Sequence, residues 1–181
     1  MQEMVIYGVS FDLVGKQPIV LLKTADGNKF LQIWIGHSEA AAILMKLQGA
    51  ATPRPLTHDL FSETLSQLEA NVTRVCVTEL RENTFFATIT IQQDGGELEI
   101  DSRPSDAIAL AVRAEAPIFA DDRVLEESAI EFEGEEVNEE EIVDEFRKFL
   151  ENVTPDEFAE VPEEEAEAEP EAEPDEEDQG R

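Results

Sequence analysis

Residues 107–112 read Ala-Ile-Ala-Leu-Ala-Val, apolar on every side of any helix they form. Such a helix has no face to give to water and must be enclosed by other elements. Pro104, just before this run, suits the first turn of a helix, because its fixed φ and missing N–H cost nothing there. A buried helix is therefore expected from about Pro104 onward. Charged and hydroxyl groups crowd its ends: Asp101, Arg103, Ser105 and Asp106 before it and Arg113 after it.

The segments around this helix have the periodicities of strands and helices in groups. Met4 to Phe11 is one apolar run. Pro18 to Thr24 and Lys29 to Trp34 flank Asp26-Gly27, a dipeptide suited to the positive φ angles of a tight hairpin. Ser38 and Thr57 have the chemistry of helix N-caps, and Gly49 that of a stop signal. Leu60, Phe61, Thr64, Leu65 and Leu68 recur at helical spacing. Val72 to Leu80, Phe85 to Ile91 and Glu97 to Ile100 read as strands, turned at Arg81–Thr84 and Asp94–Gly96. Pro117 to Ala120 is a short strand, and a polar stretch follows it. The grouping predicts an α+β domain with a mixed, mainly antiparallel sheet and several packed helices.

Charge divides the chain. Residues 1–130 hold 19 acidic and 10 basic side chains, a net of −9, and residues 131–181 hold 24 and 3, a net of −21. A domain over residues 1–130 is thus followed by an acidic extension. Residues 131–158 include a helix near Glu139–Leu150, with Ile142, Val143, Phe146, Phe149 and Leu150 on one stripe. Residues 159–181, built from Glu, Ala and Pro, have too little apolar surface to offset the entropy of ordering, and a disordered acidic tail is expected. No segment is long and apolar enough to span a membrane, and the N-terminus lacks a secretory pattern, which points to a cytoplasmic protein. The single cysteine, Cys76, lies in a strand-like run and reads as an inert buried thiol. The supply of apolar surface and exposed strand edges suggests a homodimer or higher homo-oligomer.

Three polar clusters open predicted helices: Gly36-His37-Ser38-Glu39, Arg54-Pro55-Leu56-Thr57-His58-Asp59, and Asp101 through Asp106. Each carboxylate there can simply complement its own helix dipole. The same groups also suit phosphodiester chemistry. Glu39, His58, Asp59, Asp101 and Asp106 are candidate acid, base or metal groups, with Asp101 and Asp106 the candidate ligands of Mg²⁺ or Mn²⁺. Arg54, Arg103, Ser105 and Arg113 are candidate substrate-binding groups, since a guanidinium fork matches phosphate. No phosphate-loop or dinucleotide motif is present, and no organic cofactor is expected.

The runs Ile33-Trp34-Ile35-Gly36 with Glu39-Ala40, Arg54 through Leu60, and Asp101 through Ala111 resemble the bifunctional nuclease domain family of bacteria and plants. That resemblance, over roughly residues 4–130, implies an α+β fold and, from plant members, nuclease activity on DNA and RNA. Nucleic acid is then the expected partner. The alternative is a non-catalytic nucleic-acid or protein-binding regulatory domain, in which the same ion pairs merely hold three helix starts together.

Overall fold

The apolar run from Ala107 is a buried helix, and the rest of the fold encloses it. A computed structural model describes residues 1–11 and 17–131. In it α3 (Pro104–Ala114) buries Ala107, Ile108, Ala109, Leu110 and Ala111, with Pro104 in its first turn. It packs between α1 (His37–Leu47) and α2 (Thr57–Gln67) and lies on β4 (Asn71–Arg81) and β5 (Thr84–Gln93). The small side chains of Ala107, Ala109 and Ala111 let its backbone approach the sheet closely, while Ile108 and Leu110 fill the space between.

The remaining described elements are β1 (Gln2–Phe11), β2 (Pro18–Thr24), β3 (Lys29–Trp34), β6 (Gly96–Ser102), β7 (Ile118–Ala120), α4 (Asp122–Ser128) and β8 (Ile130–Glu131). The eight strands form one sheet in the order β6-β5-β4-β7-β1-β2-β3-β8. Every neighbouring pair is antiparallel except β4–β7. This is the mixed α+β architecture expected from the sequence. The three-residue strand β7 joins two halves, β1-β2-β3-β8 and β4-β5-β6, and pairs Ile118 with Met4 on one side and with Val75 on the other. β3 and β4 are four places apart, roughly 19 Å in a flat sheet. The single short helix α4 nonetheless packs on both, so the sheet is strongly curled.

The turns obey different chemistry from one another. Glu82 (φ 48°) and Asn83 (φ 58°) link β4 to β5, and Asp94 (φ 51°) and Gly95 (φ 79°) link β5 to β6. Both are two-residue hairpins with consecutive positive φ angles, which match the twist of the strands. The Asp26-Gly27 turn departs from its expectation, because neither residue has positive φ. The β2–β3 loop is four residues long and closes without left-handed backbone. Gly27 serves there by size: a Cβ would lie 2.8 Å from Thr24 Oγ1.

Two expected caps are also displaced. The N-cap of α1 is Gly36 rather than Ser38, and that of α2 is Leu56 rather than Thr57. At α2 the capping role passes to Asp59, whose carboxylate accepts the Leu56 N–H at 2.8 Å. The polar stretch after β7 is in fact the helix α4, capped by Asp121, which accepts the Arg123 N–H at 3.0 Å, and anchored by buried Val124 and Leu125. Cys76 is buried, as expected, and burial pushes its thiol up to about 11. The predicted helix near 139–150 and the acidic tail lie outside the described residues.

Leu22, Leu31, Ile43 and Ile108 are fully enclosed. Each such side chain contributes about 1.5–3 kcal/mol of apolar burial. Ile108, at the centre of α3, should be the most sensitive. Ile108→Ala is expected to cost about 2–5 kcal/mol in urea unfolding. A loss below about 1 kcal/mol would show that α3 is not the centre of the core.

Candidate functional site

The three helix starts converge. Glu39 stands in the first turn of α1, His58 and Asp59 in the first turn of α2, and Arg103 and Asp106 at the start of α3. His58 Nε2 and Asp106 Oδ1 are 2.9 Å apart. Arg103 donates from Nε to Asp106 Oδ2 at 2.7 Å and from Nη2 to Asp106 Oδ1 at 3.1 Å. The same Nη2 donates to Glu39 Oε1 at 2.8 Å. One arginine is thus shared by two carboxylates, and one of these, Asp106, also holds the imidazole.

A second, deeper network lies behind the first. Arg113, near the C-terminal end of α3, is 5% exposed and donates from Nε to Asp59 Oδ1 at 2.5 Å. Its Nη1 donates to Ala109 O at 2.8 Å and its Nη2 to Ala42 O at 3.2 Å. These bonds tie α1, α2 and α3 together. The neighbours His58 and Asp59 therefore serve different networks, His58 the outer one and Asp59 the inner one.

The other predicted residues stand apart from this convergence. Asp101 lies exposed on the edge strand β6, opposite Thr88. Arg54 is exposed in the loop before α2, where its carbonyl accepts from Thr52 Oγ1 at 2.8 Å. Ser105 is buried at 6% exposure and lines a cavity of about 760 Å³ that also reaches Arg103. Sequence reasoning missed the far wall of this cavity, which is formed by Trp34, Asn83 and Phe85. Trp34 had a signal, since it stands two residues before the Gly36–Glu39 cluster. Asn83 and Phe85 had none, because the curl of the sheet brings them there.

Gly36 is explained by the site. A Cβ at Gly36 would lie 2.2 Å from Glu39 Oε2, so a side chain there would displace the carboxylate that holds Arg103.

The carboxylates are tuned by these contacts. Burial pushes the Asp106 carboxyl up, but hydrogen bonds from Arg103 and His58 and their charges outweigh it, leaving the group below its usual range. Burial likewise acts on Asp59, and the Leu56 N–H and Arg113 outweigh it in the same direction. A preformed site for the expected Mg²⁺ or Mn²⁺ would turn several oxygen donors toward one point. Among the described residues no group of three or more His, Cys, Asp or Glu side chains is placed to hold a metal ion. The carboxylates of the convergence are turned to arginines instead, and the residues do not fit a preformed metal cage.

A family model, the bifunctional nuclease domain, matches residues 20–133, which include all of these groups. The chain belongs to the bifunctional nuclease domain family. It is 36% identical over 164 residues to an uncharacterized protein of Mycobacterium tuberculosis, covering 87% of this chain and 98% of that protein. It is 28% identical over 109 residues to bifunctional nuclease 1 of Oryza sativa subsp. japonica, covering 58% of this chain and 33% of the plant protein. Bifunctional nuclease 1 of Arabidopsis thaliana is 29% identical over 105 residues, 56% of this chain and 32% of the plant protein. The matched part therefore corresponds to about a third of each plant nuclease. Among the described residues no helix is long and apolar enough to cross a membrane.

The two depressed carboxyls fix the direction of an acid effect. A folded-state value below the unfolded one, near 4, stabilises the fold at higher pH and is lost as pH falls through the folded value. Unfolding free energy should therefore be flat from pH 7 to about 5 and decline below about 4. Asp106→Asn should make that decline shallower, as read by urea titrations across this range. An unchanged decline would mean that Asp106 is not held by Arg103 and His58.

Proposed function

We propose that the chain hydrolyses phosphodiester bonds of DNA or RNA, with the convergence of α1, α2 and α3 as its active site. The observation that carries the reading is the contact of His58 Nε2 with Asp106, itself held by Arg103. An imidazole oriented by a carboxylate through one nitrogen offers the other as a proton acceptor. His58 with Nε2–H donating to Asp106 leaves Nδ1 to take a proton from water. That water adds to phosphorus, the bond to the leaving oxygen breaks, and the leaving oxygen takes a proton from solvent.

Electrostatics favour this order of events. With His58 neutral, Glu39, Asp106 and Arg103 sum to −1. When His58 takes the proton the cluster reaches zero, as negative charge grows on the phosphoryl oxygens. Arg103 is 65% exposed, and its Nη1 makes no hydrogen bond among the described residues, so it can meet that charge. Arg113, buried and bonded through Nε, Nη1 and Nη2, is a positioning residue in this scheme. Because the donor set does not fit a metal cage, no step is routed through Mg²⁺ or Mn²⁺, and the assay below is run with each ion and with chelator.

Single-stranded and duplex DNA and RNA, labelled at one end, should be cut by the purified chain. His58→Ala should lower the rate about 10²–10⁴-fold, the usual contribution of a positioned acid or base. Arg103→Ala should lower it while leaving the fold intact. Binding without cutting under all of these ionic conditions would favour the regulatory-domain reading.

We further infer that a second copy covers the apolar side chains left open on α2 and β6. Leu60, Phe61 and Leu68 are exposed on or just after α2, and Leu98 and Ile100 are exposed on the edge strand β6. Leu98 and Ile100 pair with buried Ile91 and Ile89 and so share the face on which α3 packs. Light scattering at tens of micromolar should give a dimer mass, reduced to the monomer by Ile100→Lys. A monomer mass for the unaltered chain overturns this inference.

A further inference from the structure

The cavity beside the convergence has its own chemistry. Its volume of about 760 Å³ falls within the range of about 300–1,000 Å³ typical of small-ligand sites. Its walls come from distant parts of the chain: the end of β3 with Trp34, the β4–β5 hairpin with Asn83 and Phe85, and the start of α3 with Arg103 and Ser105. Among the described residues Arg103 is the sole charged side chain in the lining, a cation in a chain whose net charge is −30. An anion is therefore the ligand this wall favours.

The polar groups facing the cavity are short of partners. Ser105 is 6% exposed, and its hydroxyl makes no hydrogen bond among the described residues. Ser105 also occupies the first turn of α3, where Pro104 has no N–H and the Asp106 and Ala107 N–H groups bond to the Arg103 carbonyl. The Ser105 N–H is thus the one left in that turn to meet a phosphate oxygen. Ser128 Oγ also has no partner among the described residues, but it is sealed from solvent and so lies behind the lining, out of reach of a ligand. Native proteins rarely leave buried hydroxyls unsatisfied, and a bound ligand is one of the usual reasons. Away from Arg103 and Ser105 the walls are aromatic. Trp34, half exposed, offers a flat face, and Asn83 adds an amide that can both donate and accept.

We infer that this cavity is a nucleotide subsite that takes one unpaired nucleotide of a single strand. Its phosphate lies at Arg103 and the start of α3, and its base lies against Trp34 and Phe85 with its edge toward Asn83. A base paired in a duplex cannot offer its face to Trp34, so the subsite selects single strands. The inference rests on the nucleic-acid reading above and extends it from the reacting bond to the neighbouring base.

Trp34 is the only tryptophan in the chain, so its fluorescence reports the subsite directly. The full chain would be titrated with short single-stranded oligonucleotides carrying phosphorothioate linkages to slow cutting, with the same sequences as duplexes, and with abasic strands of equal length. Single strands should quench Trp34 saturably, while duplexes and abasic strands bind at least about tenfold more weakly, in line with the loss of one stacked base. Binding of a labelled single strand, read by anisotropy, should weaken to the same degree in Trp34→Ala and recover in Trp34→Phe. Ser105→Ala, which leaves the aromatic wall intact, should weaken binding of both the normal and the abasic strand. Equal binding of duplex and single strand, or tight binding without quenching and without a Trp34→Ala effect, would overturn the subsite even if the chain cuts nucleic acid. Quenching by single strands in a chain that cuts nothing would support the subsite and reject the hydrolytic reading.

Discussion

A helix that is apolar on all sides can carry polar chemistry only at its ends, and α3 governs the site for that reason. Its sides are committed to α1, α2, β4 and β5. Each end carries an arginine, and each arginine gathers groups from the flanking helices. Arg103 at the start draws in Glu39 of α1 and, through Asp106, His58 of α2. Arg113 near the other end draws in Asp59 of α2 and the Ala42 carbonyl of α1. The position of every group in the convergence follows from the burial of one helix.

The two arginines have different physical standing. Arg113 is buried, and three of its donor nitrogens are satisfied by a carboxylate and two carbonyls; removing one partner would leave a charge stranded away from water. Arg103 is mostly exposed, and exposed ion pairs are worth about 0–1 kcal/mol. It can therefore exchange a carboxylate partner for a phosphate oxygen at little cost to the fold. Gly36 belongs to the same economy of space, because the Glu39 carboxylate occupies the position its side chain would need.

Much of this was legible in the residues themselves. The unbroken apolar run of 107–112 announced a buried helix, and the polar clusters at three helix starts pointed to one shared rim for Arg54, His58, Asp101, Arg103 and Asp106. Of these His58, Arg103 and Asp106 meet, joined by Glu39, while Arg54 and Asp101 stand apart. Local patterns failed where the deciding force was not local. Asp26-Gly27 looks like a two-residue turn, but the strands stop earlier and the longer loop relieves the demand for positive φ. Ser38 and Thr57 look like caps, but Gly36 and Leu56 take those places. Residues 122–128 read only as part of a polar stretch, with Val124 and Leu125 alone to mark the buried side of α4. Asp101, five residues from Asp106, stands on a strand edge because the chain leaves the sheet between them. The aromatic wall of the cavity was illegible, since no spacing along the chain encodes the curl of a sheet.

That curl depends on β7, three residues inserted between strands that arrive much earlier in the chain. β1 begins at Gln2 and its β7 partners at Ile118. On a ribosome adding roughly 5–20 residues per second, β1 waits on the order of ten seconds for its central neighbour. Without β7 the sheet would be two pieces with open inner edges, one ending at Trp34 and the other leading to Arg103. Neither half alone carries all the walls of the cavity, and the sheet is continuous around it only once Ile118 has been added.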